Sequence, residues 1–119
     1  GKGSVTGVVF HDLNYNGILD YGEQGLPGFE VDLTDLGSDY VCGGYDDTEL
    51  ATTDTDAYGA YSFWDIDAGT YCVRILDAAI PYGFTRTSPD PVKVEVTAYG
   101  EVKVNFGFKS GGYTTPPPP

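Results

Sequence analysis

Apolar residues recur at every second position in run after run of this chain, and that period constrains the fold more than any other feature. Phe29, Val31 and Leu33 alternate with Glu30, Asp32 and Thr34; Tyr71, Val73 and Ile75 with Cys72, Arg74 and Leu76; Val92, Val94 and Val96 with Lys93, Glu95 and Thr97. Val102, Val104, Phe106 and Phe108 form another such run, Tyr61 and Phe63 flank Ser62, and a less regular apolar stretch spans Val5 to Phe10. Successive side chains of a strand point to opposite faces, so each run presents one apolar face to a core. Turn formers punctuate the runs: Gly25-Leu-Pro-Gly28, Asp56-Ala-Tyr-Gly59, Asp67-Ala-Gly69, Pro81-Tyr-Gly83 and Ala98-Tyr-Gly100. This spacing predicts an all-β fold, about seven strands in an antiparallel two-sheet sandwich. No helix of three turns is expected, and the polar, glycine-rich stretch 37–49 reads as a long loop.

Composition narrows the class. With 17 glycines, 10 tyrosines and no methionine among 119 residues, the chain suits one β-rich domain with a modest core. Six basic residues against 18 acidic ones give a net charge of −12. Such a surface repels nucleic acid and anionic membranes and attracts polyvalent cations. No run of about 18 apolar residues offers a membrane span. Residues 1–4 read as a boundary segment, 5–109 as the folded module and 110–119 as a Thr/Pro-rich linker, so the chain is expected to be a monomeric piece of a longer secreted protein.

Between the first two runs lies Asp12-Leu-Asn14-Tyr-Asn16-Gly17-Ile18-Leu-Asp20-Tyr-Gly-Glu23. Oxygen-bearing side chains stand at loop positions 1, 3, 5, 9 and 12, with glycine at 6, which is the twelve-residue calcium-loop pattern of the EF-hand. Calcium takes six to eight hard oxygen ligands, and alternate side chains of a tight loop can converge on one point if a glycine lets the backbone turn midway. Asp12, Asn14, Asn16, the Ile18 carbonyl, Asp20 and Glu23 are the expected ligands of a Ca²⁺ ion. The flanks are not those of an EF-hand: a strand-like Val8-Val9-Phe10 enters, and Gly25-Leu-Pro-Gly28 would break any exit helix. The loop is therefore expected to be structural, since a calcium sensor needs a moving helix pair.

The stretch from Gly7 to Gly28 resembles the opening of the SdrD-like B domains, the calcium-binding repeats of serine-aspartate-repeat surface adhesins. Thr53-Asp-Thr-Asp-Ala-Tyr-Gly-Ala-Tyr-Ser-Phe63, Ala68-Gly-Thr-Tyr-Cys-Val73 and Asn105-Phe-Gly-Phe108 are similar to that family's later motifs. The resemblance implies a prealbumin-like β-sandwich related to collagen-adhesin B domains, serving as a rigid, calcium-stabilised spacer in an extracellular multimodular protein. Similar modules also stand beside catalytic and carbohydrate-binding domains of secreted enzymes. Two departures are the pair of cysteines and the length of loop 37–49. The family relation also raises a Lys–Asn crosslink between first and last strands. Here Lys2 precedes the first run and Asn105 alternates out of the last, which argues against it.

Other residues carry weaker expectations. Cys42 and Cys72, the only cysteines, suggest one disulfide in an extracellular module, stapling loop 37–49 to the outer face of a sheet. Asp54 and Asp56 could form a second calcium site with Asp32, Asp35 or Asp65, although Asp56 placed before Gly59 also suits a turn cap. Trp64 could stack on a sugar ring; the simpler expectation is that it covers the outer sheet beneath loop 37–49. His11 has no visible nucleophile partner, and no pair of carboxylates is set up for acid–base work. The expected function is thus a non-catalytic, calcium-binding structural module whose partners are neighbouring modules of the same chain. The alternatives are a carbohydrate-binding module with structural calcium, and a protein-binding adhesion or assembly module.

Overall fold

The structure, a computed structural model, describes residues 1–36, 40–42 and 47–110. Among these residues nine strands follow in order: β1 (Lys2–His11), β2 (Glu30–Asp35), β3 (Thr48–Asp54), β4 (Ala60–Asp67), β5 (Gly69–Arg74), β6 (Phe84–Arg86), β7 (Val92–Val96), β8 (Glu101–Lys103) and β9 (Phe106–Ser110). A single 3₁₀ turn, Asp77–Ala79, is the one helical element among the described residues, and none of them forms a helix long and apolar enough to cross a membrane.

The count exceeds the seven expected for local reasons. β6 and β8 have three residues each, too few for alternation to show. The run Val102–Phe108 breaks at Val104-Asn105 into β8 and β9. β3 is an exposed, threonine-rich strand with little apolar content, and its first two residues fall within the stretch expected as loop. At the other end, β1 takes in Lys2–Ser4, which alternation alone would leave outside the fold.

One sheet runs β4-β1-β9-β6, with β8 also pairing β1; the other runs β3-β2-β5-β7. β1 is central to the first. It pairs antiparallel with β4 on one side and parallel with β8 and β9 on the other. Its Gly7 lies so close to the Val104 carbonyl that any side chain there would collide with it. The facing sheets enclose Val5, Val9, Tyr61, Phe63, Phe106 and Phe108 from one side and Val31, Leu33, Val73, Ile75, Val94 and Val96 from the other. Phe29, just before β2, packs against Phe108 with ring centres 5.0 Å apart and edge-on to Phe84 at 5.5 Å. Tyr61 keeps its hydroxyl satisfied in this interior by donating to the Val104 carbonyl at 2.6 Å. Most of these residues are those that the period-two pattern assigns to the core, because one face of each paired strand must be dry.

β1 and β9 run in the same direction, with His11 opposite Phe108. The loop that leaves β1 and the end of β9 therefore share one pole of the sandwich. Beyond Ser110, the linker expected over 110–119 lies outside the described residues.

Candidate functional site

Loop 12–23 is fastened to that pole at both ends. Asp12 N–H donates to the Phe108 carbonyl at 2.7 Å and His11 N–H to the Gln24 carbonyl at 2.8 Å. Phe10 bridges Gly25, and Leu26 N–H reaches the Val9 carbonyl at 2.8 Å. The return segment thus runs back along β1, and the twelve residues between must close in a small space. The backbone manages this with left-handed conformations at Tyr15 (φ 61°), Gly17 (φ 75°) and Gly22 (φ 91°). Glycine takes them without strain; Tyr15 does not, and its ring lies under the Lys109 ammonium, 5.8 Å from the ring centre.

The oxygen side chains are brought together by the loop's own N–H groups. Asp12, fully buried, accepts from Gly17 N at 2.7 Å and Asn16 N at 3.3 Å. The Asn16 side-chain oxygen accepts from Ile18 N at 3.0 Å. Asn14 and Asn16 both donate their side-chain amides to one oxygen of Asp20, at 3.1 and 2.7 Å. Glu23 closes the ring with both oxygens, accepting from Asp20 N at 2.9 Å and Leu13 N at 3.0 Å. All five side chains expected as ligands therefore belong to one hydrogen-bonded loop. Burial works against ionisation of Asp12, and the Thr87 hydroxyl faces its carboxylate without good hydrogen-bond geometry. The N–H groups of Gly17, Asn16 and Tyr15 still hold the carboxyl below its ordinary value.

By chemistry this donor set fits a hard cation: three carboxylates and two amide oxygens, with the Ile18 carbonyl next to the turn glycine. Among the described residues no three His, Cys, Asp or Glu side chains are gathered as a metal shell, so Asp12, Asp20 and Glu23 share one hydrogen-bonded loop without converging on a single point. The loop interleaves its carboxylates with Asn14 and Asn16.

The remaining candidates are placed as follows. Cys42 and Cys72 form a disulfide with Cα atoms 5.4 Å apart, on the outer face of β5. Beside it Thr34 is fully buried although it points away from the core. Asp56 accepts from Tyr58 N at 2.9 Å and Ala60 N at 3.0 Å, so its carboxylate caps the turn into β4. Asp54 is exposed at the end of β3. Lys2 ion-pairs with Asp67 at 3.3 Å, while the Asn105 side chain accepts from Val8 N at 2.9 Å, so each has a partner other than its crosslink counterpart.

Trp64 corrects an expectation. It is 66 % exposed and lies on β4, in the sheet opposite the one that holds β2 and β3. A bulge sets its direction: Gly3 pairs with Ile66 and Val5 with Phe63, leaving Trp64 and Asp65 opposite Ser4, with Asp65 at φ 59°.

Two further residues, and the burial of Asp32, escape the sequence reading. Thr55, buried between β3 and the turn, accepts from Phe29 N at 2.9 Å and donates to the Leu26 carbonyl at 2.6 Å. Asp90, nearly buried, binds Arg86 Nε at 2.9 Å, and Arg86 also reaches the Ile75 carbonyl and Asp77, each at 2.6 Å. Asp32 is buried on the outer face of β2. No local spacing marks these positions; only the tertiary neighbours do.

The family model of the SdrD B-like domain matches residues 3–97. The chain belongs to the SdrD B-like domain family. Among curated relatives, bone sialoprotein-binding protein of Staphylococcus aureus (strain MRSA252) is 33 % identical over 97 % of the chain. Serine-aspartate repeat-containing protein F of Staphylococcus epidermidis (strain ATCC 12228 / FDA PCI 1200) is 29 % identical over 90 % of it. The chain spans only 10 % and 7 % of those proteins, so this SdrD B-like domain corresponds to one small part of each. Among solved structures, the shaft pilin SpaA of Lactobacillus rhamnosus GG superposes with a TM-score of 0.71 at 12 % identity, covering 92 % of the chain and 52 % of the pilin. The minor pilin GBS52 of Streptococcus agalactiae gives 0.65 at 15 %, covering 99 % and 48 %. At such identities the likeness is one of fold: a pilin-like β-sandwich.

Proposed function

We propose that this domain is a non-catalytic structural spacer of a secreted or cell-surface multimodular protein, and that Ca²⁺ held in loop 12–23 stiffens the pole where β1 and β9 end. The observation that carries the reading is the hydrogen-bonded grouping of Asp12, Asn14, Asn16, Asp20 and Glu23 in one loop pinned to β1 and β9. The ion would draw on those oxygens and the Ile18 carbonyl, and would screen part of the chain's negative charge. Family membership and the size of the relatives support a module that works beside neighbours in one polypeptide. A ligand that binds only the folded state stabilises it by mass action. The melting temperature should therefore fall on chelation, and Asp12→Ala with Glu23→Ala should remove the calcium response. A Tm indifferent to both, with no calorimetric binding signal, would end the reading.

Carbohydrate binding is the second reading, favoured by one observation: the indole of Trp64 stands exposed on an edge strand, aimed outward by a bulge. Polysaccharide binding lost in Trp64→Ala would support it, and binding that survives this substitution would remove Trp64 from the case. A protein ligand is a third possibility, suggested by the name of the bone sialoprotein-binding relative, of which this domain matches a tenth.

A further inference from the structure

Asp32 lies on the outer face of β2 at 1 % exposure, and neither of its carboxylate oxygens has a hydrogen-bond donor. A buried carboxylate with no hydrogen bond, and only a 3.9 Å ion pair to Arg74, is costly and calls for a physical account. Among the described residues, the charged groups around it can be named from the strand register. On β2, Glu30 is two residues away on the same face, so the two carboxyl groups are neighbours along one strand. On the edge strand β3, Glu49 stands opposite Thr34 and Asp54 opposite Glu30. On β5, Arg74 stands opposite Asp32, but its Nε is 3.9 Å from the carboxylate, too far to donate, and is itself buried without a partner. Lys93 of β7 is one strand further out, opposite Cys72. Among the described residues, three carboxylates thus face Asp32, and the Arg74 guanidinium opposes them at the limit of an ion pair.

At 1 % exposure Asp32 leaves no surface for a peptide or a sugar, and among the described residues no three carboxylates are gathered to hold a metal. A proton is the ligand that fits. We propose that Asp32 and Glu30 hold one proton between them, and that taking it up in mildly acidic medium fastens the edge strand β3 to β2. With both groups ionised, neither can donate. With one proton present, an O–H···O⁻ bond forms and Asp32 no longer repels Glu49 across the β2–β3 boundary. Burial, then Glu49 and Glu30, raise the Asp32 pKa to about 6, which places the change in the mildly acidic range. A carboxyl whose pKa is raised by folding makes the fold more stable as pH falls through that value, the reverse of the usual acid response.

The test is made on the calcium-saturated domain. Carboxyl-carbon NMR should show Asp32 titrating near pH 6, and an Asp32 midpoint near 4 overturns the proposal. The wild-type Tm should rise relative to that of Asp32→Asn between pH 7.5 and 5, and parallel profiles also overturn it. Amides of Thr48–Asp54 should gain exchange protection over the same range relative to those of β7; unchanged protection refutes the fastening of β3. Repeating the titration in Asp12→Ala/Glu23→Ala with and without calcium separates this site from the loop. A midpoint that moves with calcium there assigns Asp32 to a cation and not to a shared proton. The NMR titration needs only wild-type protein, so a misfolded variant does not remove the test.

Discussion

Asp12 and Asp32 are equally buried, yet the regions around them are held by opposite means. At the loop pole, backbone N–H groups point into the carboxylate of Asp12 and keep it ionised. On the outer face of β2, no donor reaches Asp32, its neighbours share its charge, and its pKa is driven upward. The loop supplies donors because its N–H groups are turned inward by left-handed turns and have no strand to pair with. β2 pairs with β3 along its length and with β5 from Asp32 onward, so its N–H groups are turned to the ladders and a side chain there depends on other side chains. The covalent staple stands on the second side: Cys42–Cys72 anchors the segment after β2 to β5.

That staple gives the largest expected effect. Closing a 30-residue separation restricts the unfolded chain, and the chain-entropy model puts the stabilisation at about 3–4 kcal/mol. Cys42→Ser with Cys72→Ser should lower the urea midpoint accordingly, and a loss of less than about 1 kcal/mol would show that the Asp32 face does not depend on its covalent fastening. Next, Asp12→Ala strips the acceptor from Gly17 and Asn16, with an expected loss of about 2–3 kcal/mol at pH 7, measured by denaturant unfolding without calcium.

Asp32→Asn should do the reverse and stabilise by about 2 kcal/mol at pH 7, vanishing near pH 4. If both aspartates destabilise on replacement, the contrast between them fails. The signs follow from linkage. Asp12, depressed below 3.8, contributes stability above that pH and loses it as pH falls through its folded value; Asp32, raised to about 6, removes stability as pH climbs from 3.8 to about 6. A stability maximum on the acid side of neutrality is the combined expectation. Smaller again, Gly17→Ala should cost about 1–2 kcal/mol, because φ 75° is strained for any side chain. Trp64→Ala should change stability by no more than about 0.5 kcal/mol, since its ring is mostly in solvent.

Much of the candidate site was legible before any fold was known. Six loop positions at fixed spacing encode a local geometry, and a twelve-residue loop closes on itself whatever lies beyond it. The same locality made Val31, Leu33, Val73 and Phe106 readable as core, because strand alternation is a property of consecutive residues. Trp64 was misread because its cover depended on which sheet β4 joins, and pairing partners lie far apart in sequence.

What the sequence determined by itself was the alphabet of short-range order: where strands run, which face is apolar, and where oxygens crowd around a glycine turn. Tertiary structure alone decided that β1 and β9 end together beside that loop, that Trp64 stands in the open, and that Asp32 is buried with carboxylates for neighbours. The physical reason is that burial and charge are set by residues brought close from distant parts of the chain, and no local pattern records who those neighbours will be.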